Sequence, residues 1–310
     1  MNILILRRIP DWGPVFPEGL RGGADYQADM LLHGFRNMFG NTVVDHNRSW
    51  WIYSGDFGPG KLDDSVHKGW TIYRSLGDDS GVDRTDIENK IRTHFFDLII
   101  FGYVQYGIEQ TYWDLAQTHY DPKDIIFLDG MDGTEIDYSR VGRCLYFKRE
   151  LAHPIDQVYP VNFAIPDEKI DLYPSDNKIH NIAPMDPRNP ASYIYKQEPE
   201  YYQQYAESLF GVTTKKGGWD CMRHYEIMAN NCIPWFLDLE GCPNTIMTSL
   251  PKRPLLEVVK LIREKGEDWF ITEEGFEHWQ YLNDEVQTHF KKYCTTSALA
   301  KQILNTRSSV

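Results

Sequence analysis

The sequence predicts an α/β protein built as two halves that face each other across a cleft, and three observations carry that prediction. Short apolar runs bounded by turn residues alternate with stretches of helical period, the pattern of buried parallel strands joined by helices. At 310 residues the chain has the length of two domains of about 150 residues each. Pro154, Pro160, Pro166 and Pro174 punctuate a stretch without periodicity, which places a joint between residues 1–165 and 166–310.

In chain order, Asn2 to Leu6 reads as a buried first strand, followed by a Pro- and Gly-rich loop that contains Gly22 and Gly23. Ala24 to Phe39 has apolar residues at helical spacing and stops at Gly40. Thr42 to Val44 is a β-branched strand candidate. Asp45 to Gly81 is polar, aromatic and Gly-rich, with Trp50, Trp51, Tyr53 and Trp70, and reads as an insertion or flap that orders around a ligand. Helices are expected at Asp86–His94 and Gln110–Thr118, and strands at Phe95–Phe101, Ile125–Leu128 and from Cys144 toward Glu150.

Ile179 to Ala183 opens the second sheet. A helix over Glu200–Leu209, a strand over Phe210–Thr213, a helix over Cys221–Ala229 and a strand over Ile233–Leu237 continue it. Leu255, Val258, Val259 and Ile262 mark one face of an amphipathic helix. Two helices, Glu274–Asn283 and Asp284–Asn305, close the chain, placed to pack back on the first half.

A formal charge of −13 argues against a broad surface for gripping nucleic acid or anionic membrane, and no nucleic-acid partner is expected. The five cysteines are widely spaced with no Cys-x-x-Cys pair, which suits reduced thiols in the cytoplasm better than a disulfide framework or a zinc site. The apolar run after Met1 is too short for a signal peptide or a membrane span.

The richest stretch runs from Thr214 to Glu226. Lys215 and Lys216 bring positive charge, and Gly217 and Gly218 let backbone N–H groups approach a ligand, which is how a chain holds phosphate. Arg223 and Glu226 stand three apart on a helix and share a face, a guanidinium for a diphosphate beside a carboxylate for sugar hydroxyls. The same residues also fit a solvated loop and a surface ion pair.

Ser208-Leu209-Phe210-Gly211, then Lys215 to Asp220 with Trp219, then Arg223-His224-Tyr225-Glu226 and Asn231-Cys232-Ile233-Pro234, resemble the donor half of exostosin-like and related GT-B glycosyltransferases over about thirty residues. Asn230-Asn231 stands where that family often has Gly or Ala-Gly. The resemblance implies two Rossmann-like domains and a nucleotide-diphosphate sugar as donor. Ser208, Thr214, Lys215, Lys216, Gly217, Gly218, Trp219, Arg223, Tyr225 and Glu226 would line the donor site, with Gly22 and Gly23 opposite. No metal or other cofactor is required, because cations and a helix N-terminus take its role. The acceptor would be a hydroxyl of a glycan or glycoconjugate.

An inverting transfer needs a general base. Asp25, in the loop after the first strand, is the first candidate and equally an N-cap; Asp132 is the second. Asp29 is a first-turn charge, His33, His46 and His224 are alternative bases, and Lys148 and Arg149 are cations that either reach phosphates or end a strand in solvent. Two other readings remain open: a non-catalytic nucleotide-sugar or glycan-binding module, and a DNA-base glucosyltransferase, which the charge disfavours.

Overall fold

The computed structural model describes residues 1–7, 25–54, 71–104, 107–175 and 177–310. The first part comprises β1 (Ile3–Arg7), α1 (Tyr26–Phe39), β2 (Val43–Asp45), α2 (Ile87–Arg92), β3 (Leu98–Tyr103), α3 (Gln110–His119), β4 (Ile125–Asp129), β5 (Leu145–Lys148) and β6 (Val158–Pro160). They form a six-stranded parallel sheet in the order β2-β1-β3-β4-β5-β6. β1, β3 and β4 are apolar runs buried on both faces, as parallel strands covered by helices must be.

The second part comprises β7 (His180–Ile182), α4 (Glu198–Ala206), β8 (Ser208–Thr213), α5 (Met222–Ala229) and β9 (Ile233–Phe236), then α6 (Lys252–Lys265), α7 (Glu273–Tyr293) and α8 (Thr296–Ser309). Its sheet is three parallel strands in the order β7-β8-β9. The apolar core runs without a break from β1 to α8. α8 lies against α1 so closely that a Cβ on Gly34 would stand 2.1 Å from the Thr296 carbonyl oxygen.

Several elements depart from the predicted pattern. The Pro-rich joint contains β6, whose Pro160 sits at the sheet edge, where a missing N–H is tolerated. The helix expected over Glu200–Leu209 stops at Ala206, and Ser208 and Leu209 are buried in β8. The break expected at Asn283-Asp284 is absent: Asn283 is buried and donates to Asn231 Oδ1 at 2.7 Å, and α7 runs on to Tyr293. The true break is capped by Thr295, which accepts from the Ala298 N–H. Asn231 has φ +53°, a left-handed conformation that Asn tolerates and Gly prefers, which gives a reason for an Asn at this turn.

The described ends of the predicted flap are built into the core. Trp51, Ile52, Tyr53, Ile72 and Leu76 are buried, and Tyr53 bridges to Leu76. Trp70 lies outside the described residues, and so do Gly22 and Gly23.

Candidate active site

The loop between β8 and α5 is held mainly by carboxylates of this same chain. Thr214 Oγ1 and the Lys215 N–H donate to Asp238 at 3.0 and 3.1 Å. Lys216 Nζ donates to the Pro187 carbonyl at 3.1 Å, and the Lys215 ammonium lies 5.0 Å from the centre of the Trp219 ring. The Trp219 and Asp220 N–H groups donate to the two oxygens of Glu150 at 2.9 and 3.0 Å. Backbone groups that the sequence offers to a phosphate are thus engaged by a buried glutamate just past β5.

The two loop glycines are explained by this closeness. A Cβ on Gly217 would stand 2.3 Å from Asp132 Oδ2, and one on Gly218 would stand 2.4 Å from Glu150 Oε1. Arg149, 2% exposed, ties the arrangement together. Its Nη1 donates to Glu150 at 3.0 Å and to the Asp220 carbonyl at 2.7 Å. Its Nε and Nη2 donate to the Gly130 carbonyl at 3.2 and 3.0 Å, and Nη2 also pairs with Asp132. Lys148 is spent inside the first sheet on Asp129, at 2.9 Å. Neither cation is a solvated strand end.

Arg223 and Glu226 share one face of α5 and line a cavity of about 180 Å³ together with Tyr26, Tyr193, Tyr195 and Tyr201. Glu226 accepts from Tyr201 Oη at 2.7 Å and from Thr71 Oγ1, and burial raises its carboxyl above the usual range. Arg223 Nη2 donates to Tyr193 Oη at 2.9 Å, while its Nε and Nη1 are buried without a partner. Among the described residues no carboxylate pairs with this guanidinium. Glu226 and Asp186 lie near enough to act on its charge, but N–H groups buried without an acceptor are costly, so the cavity suits an anion.

The neighbouring α5 residues have structural partners. Tyr225 Oη donates to Asp220 Oδ1 at 3.0 Å, and burial carries the Asp220 carboxyl up to about 6. Buried His224 holds Thr213 Oγ1 on Nδ1 and the Trp219 carbonyl on Nε2, both at 2.9 Å, and burial lowers its imidazole to about 4. Ser208 Oγ donates to the Gln204 carbonyl at 2.6 Å and is fully buried.

A second cavity, of about 290 Å³, lies beside the first, and Tyr26 lines both. Asp25, Gln27, Gly130, Asp132, Arg149 and Phe163 line it too. The structure therefore brings the two aspartates of the sequence reading to one hollow. Asp25 also caps α1, accepting from the Ala28 N–H at 3.2 Å; burial raises its carboxyl and that N–H holds it down.

Asp29 lines neither cavity. It is fully buried against Arg7 Nη1 at 3.0 Å and Trp51 Nε1 at 2.9 Å, and burial lifts its carboxyl to about 7 despite Arg7. His33 joins Thr296 and Glu168, each at 2.8 Å, and His46 meets Tyr112 at 3.0 Å. Burial lowers the His46 imidazole.

Thr71, Gln27 and the tyrosines at 193, 195 and 201 are absent from the sequence reading, and Glu150 figures there only as the charged end of the strand from Cys144. Only the alternation Tyr193-Ile194-Tyr195 carries a local signal, two rings on one side of an extended segment. No cluster of three or more His, Cys, Asp or Glu able to hold a metal occurs among the described residues. No helix among them is long and apolar enough to cross a membrane. All five cysteines are free thiols. No protein-family model, no curated protein and no solved structure matches the chain.

Proposed function

We propose that the chain is a GT-B-type glycosyltransferase, with residues 1–165 and 166–310 as two Rossmann-like domains across a cleft. A nucleotide-diphosphate sugar binds in the tyrosine-lined cavity, and a glycan or glycoconjugate hydroxyl enters the neighbouring one. The observation that carries this reading is the pairing of cavities across Tyr26. One side holds Glu226 and the Arg223 guanidinium, whose Nε and Nη1 meet no acceptor among the described residues; the other holds Asp25 and Asp132.

In this reading the free edge of Arg223 takes the diphosphate, and its charge stabilises the leaving group as the glycosidic bond breaks. Tyrosine faces pack the base or the sugar, and Glu226 accepts from hydroxyls. The acceptor oxygen attacks the anomeric carbon from the opposite side, the electron pair of the broken bond leaves on the diphosphate, and Asp25 takes the hydroxyl proton. The anomeric configuration inverts. A carboxyl raised by burial, as that of Asp25 is, holds a proton more readily than an ordinary aspartate.

The test is thermal melting with UDP, GDP, CDP and their sugars, since a ligand that binds only the folded chain raises the midpoint. One nucleotide sugar should do so, Arg223→Ala should abolish the shift, and Asp25→Asn should bind donor but lose transfer. Unchanged nucleotide affinity in both Arg223→Ala and Glu226→Gln would overturn the donor site, and full turnover by Asp25→Asn would move the base elsewhere.

A further inference from the structure

A further hollow, of about 460 Å³, shares no residue with the two cavities of the candidate site. It lies between the loop that precedes α6, the end of α7 and one face of α8. Its walls are free of carboxylates. They come from residues 242–256 and 286–310, two stretches without a single Asp or Glu in a chain that has 45 of them among 310 residues.

Six lysines and arginines stand in those stretches, and four are engaged elsewhere. Lys252 donates to the Pro243 and Ile246 carbonyls, Arg253 pairs with Glu285, Lys291 with Asp171 at 2.9 Å and Arg307 with Asp124 at 2.6 Å. The other two, Lys292 and Lys301, are the two that line the hollow, and among the described residues no carboxylate pairs with either. A lysine at the end of α7 also suits the helix dipole, so Lys292 by itself says little. Lys301 stands in the second turn of α8, where no helix end calls for a cation.

The neutral groups in the lining favour a ligand with hydroxyls. Thr248 Oγ1 donates to Asn162 Oδ1 at 2.9 Å and Thr306 Oγ1 to the Gln302 carbonyl at 3.0 Å, so each keeps lone pairs to accept with. Gln302 Nε2 donates to the Pro160 carbonyl at 3.0 Å, which fixes the amide and leaves Oε1 as an acceptor. The Asn305 side chain is exposed and unengaged among the described residues, so it both donates and accepts. Tyr293, 46% exposed, adds apolar ring surface.

We propose that this hollow is a binding site for a small phosphate ester rich in hydroxyls, a sugar phosphate, with Lys292 and Lys301 on the phosphate and Thr248, Gln302 and Asn305 on the hydroxyls. A phosphate monoester carries a charge of about −1.5 to −2 at pH 7, and two ammonium groups complement it as compact point charges. A wall without carboxylates matters in a chain of charge −13, whose summed field otherwise repels an anion. The site stands independently of the glycosyltransferase reading.

The experiment is titration calorimetry of the full chain at low salt with glucose 6-phosphate, glucose and inorganic phosphate. Glucose 6-phosphate is expected to bind, and each of the others roughly tenfold or more weakly. Lys292→Ala and Lys301→Ala should each weaken the ester roughly tenfold, as loss of a hydrogen bond to a charged group does, and the double variant should abolish measurable heat. Both side chains are exposed, so the variants keep the melting midpoint of the natural chain. Lys291→Ala, one position away but paired with Asp171, should leave the affinity unchanged. No binding by the natural chain, glucose or inorganic phosphate binding as tightly as the ester, unaltered affinity in the double variant, or a loss in Lys291→Ala equal to that in Lys301→Ala would overturn the inference.

Discussion

Replacing Glu150 by alanine tests how the β8–α5 loop is held. The carboxylate is 1% exposed and accepts from the Trp219 N–H, the Asp220 N–H and Arg149 Nη1, at 2.9, 3.0 and 3.0 Å. Its loss strands two backbone donors and removes one of the two carboxylates that pair with a buried guanidinium. Breaking a buried pair on one side costs about 3–5 kcal/mol, and Asp132 still compensates part of the charge, so about 4 kcal/mol is expected. In a chain of 310 residues that lowers the melting midpoint by roughly 6 °C.

Urea unfolding followed by tryptophan fluorescence and by far-UV circular dichroism measures the loss. Asp132→Ala is the control. Its side chain is 65% exposed, so its pair with the same guanidinium is worth less than about 1 kcal/mol. A Glu150→Ala loss no larger than that of Asp132→Ala would refute the reasoning, because the cost is derived from burial and not from the number of charges.

Gly34→Ala drives a methyl group into the Thr296 carbonyl and within 3.2 Å of Ala300 Cβ, so α1 and α8 must separate. A loss of about 1–3 kcal/mol is expected by chemical denaturation, and an unchanged midpoint would mean that the two helices slide freely. His224 sets a pH dependence with a definite sign. Its folded value of about 4 lies below the ordinary 6.5, so between those values the unfolded chain holds the extra proton. Its contribution is complete above about pH 6.5 and is lost as pH falls to about 4, a change of roughly 3 kcal/mol. The stability difference between the natural chain and His224→Gln, measured at pH 7 and pH 5, isolates this from the buried carboxyls, whose effect runs the other way. A difference that does not change with pH would show that the imidazole is not held neutral.

Local pattern carried much of the fold. The apolar runs of β1, β3 and β4 and the period of α1 and α6 depend on residues within a few positions of one another, and all appear near their predicted places. β6 was not legible, because an edge strand of three residues at a proline has almost no local signature. Nor was the continuity of α7 through Asn283, which turns on a hydrogen bond to Asn231, fifty-two residues away.

The same division holds at the candidate site. The sequence by itself determined that Arg223 and Glu226 share a helix face, since a spacing of three does that wherever the helix lies. It also placed Asp25 at the start of α1, where a carboxylate both caps the helix and borders the strand ends. Only the tertiary structure decided what meets these groups. Glu150 reaches the Trp219 N–H across 69 residues, Thr71 reaches Glu226 across 155, and Tyr26 stands between two cavities. The physical reason is that a glycine loop fits any oxygen anion brought close enough. Packing of the strand end after β5 against that loop, which no local pattern encodes, supplied a carboxylate of the chain itself.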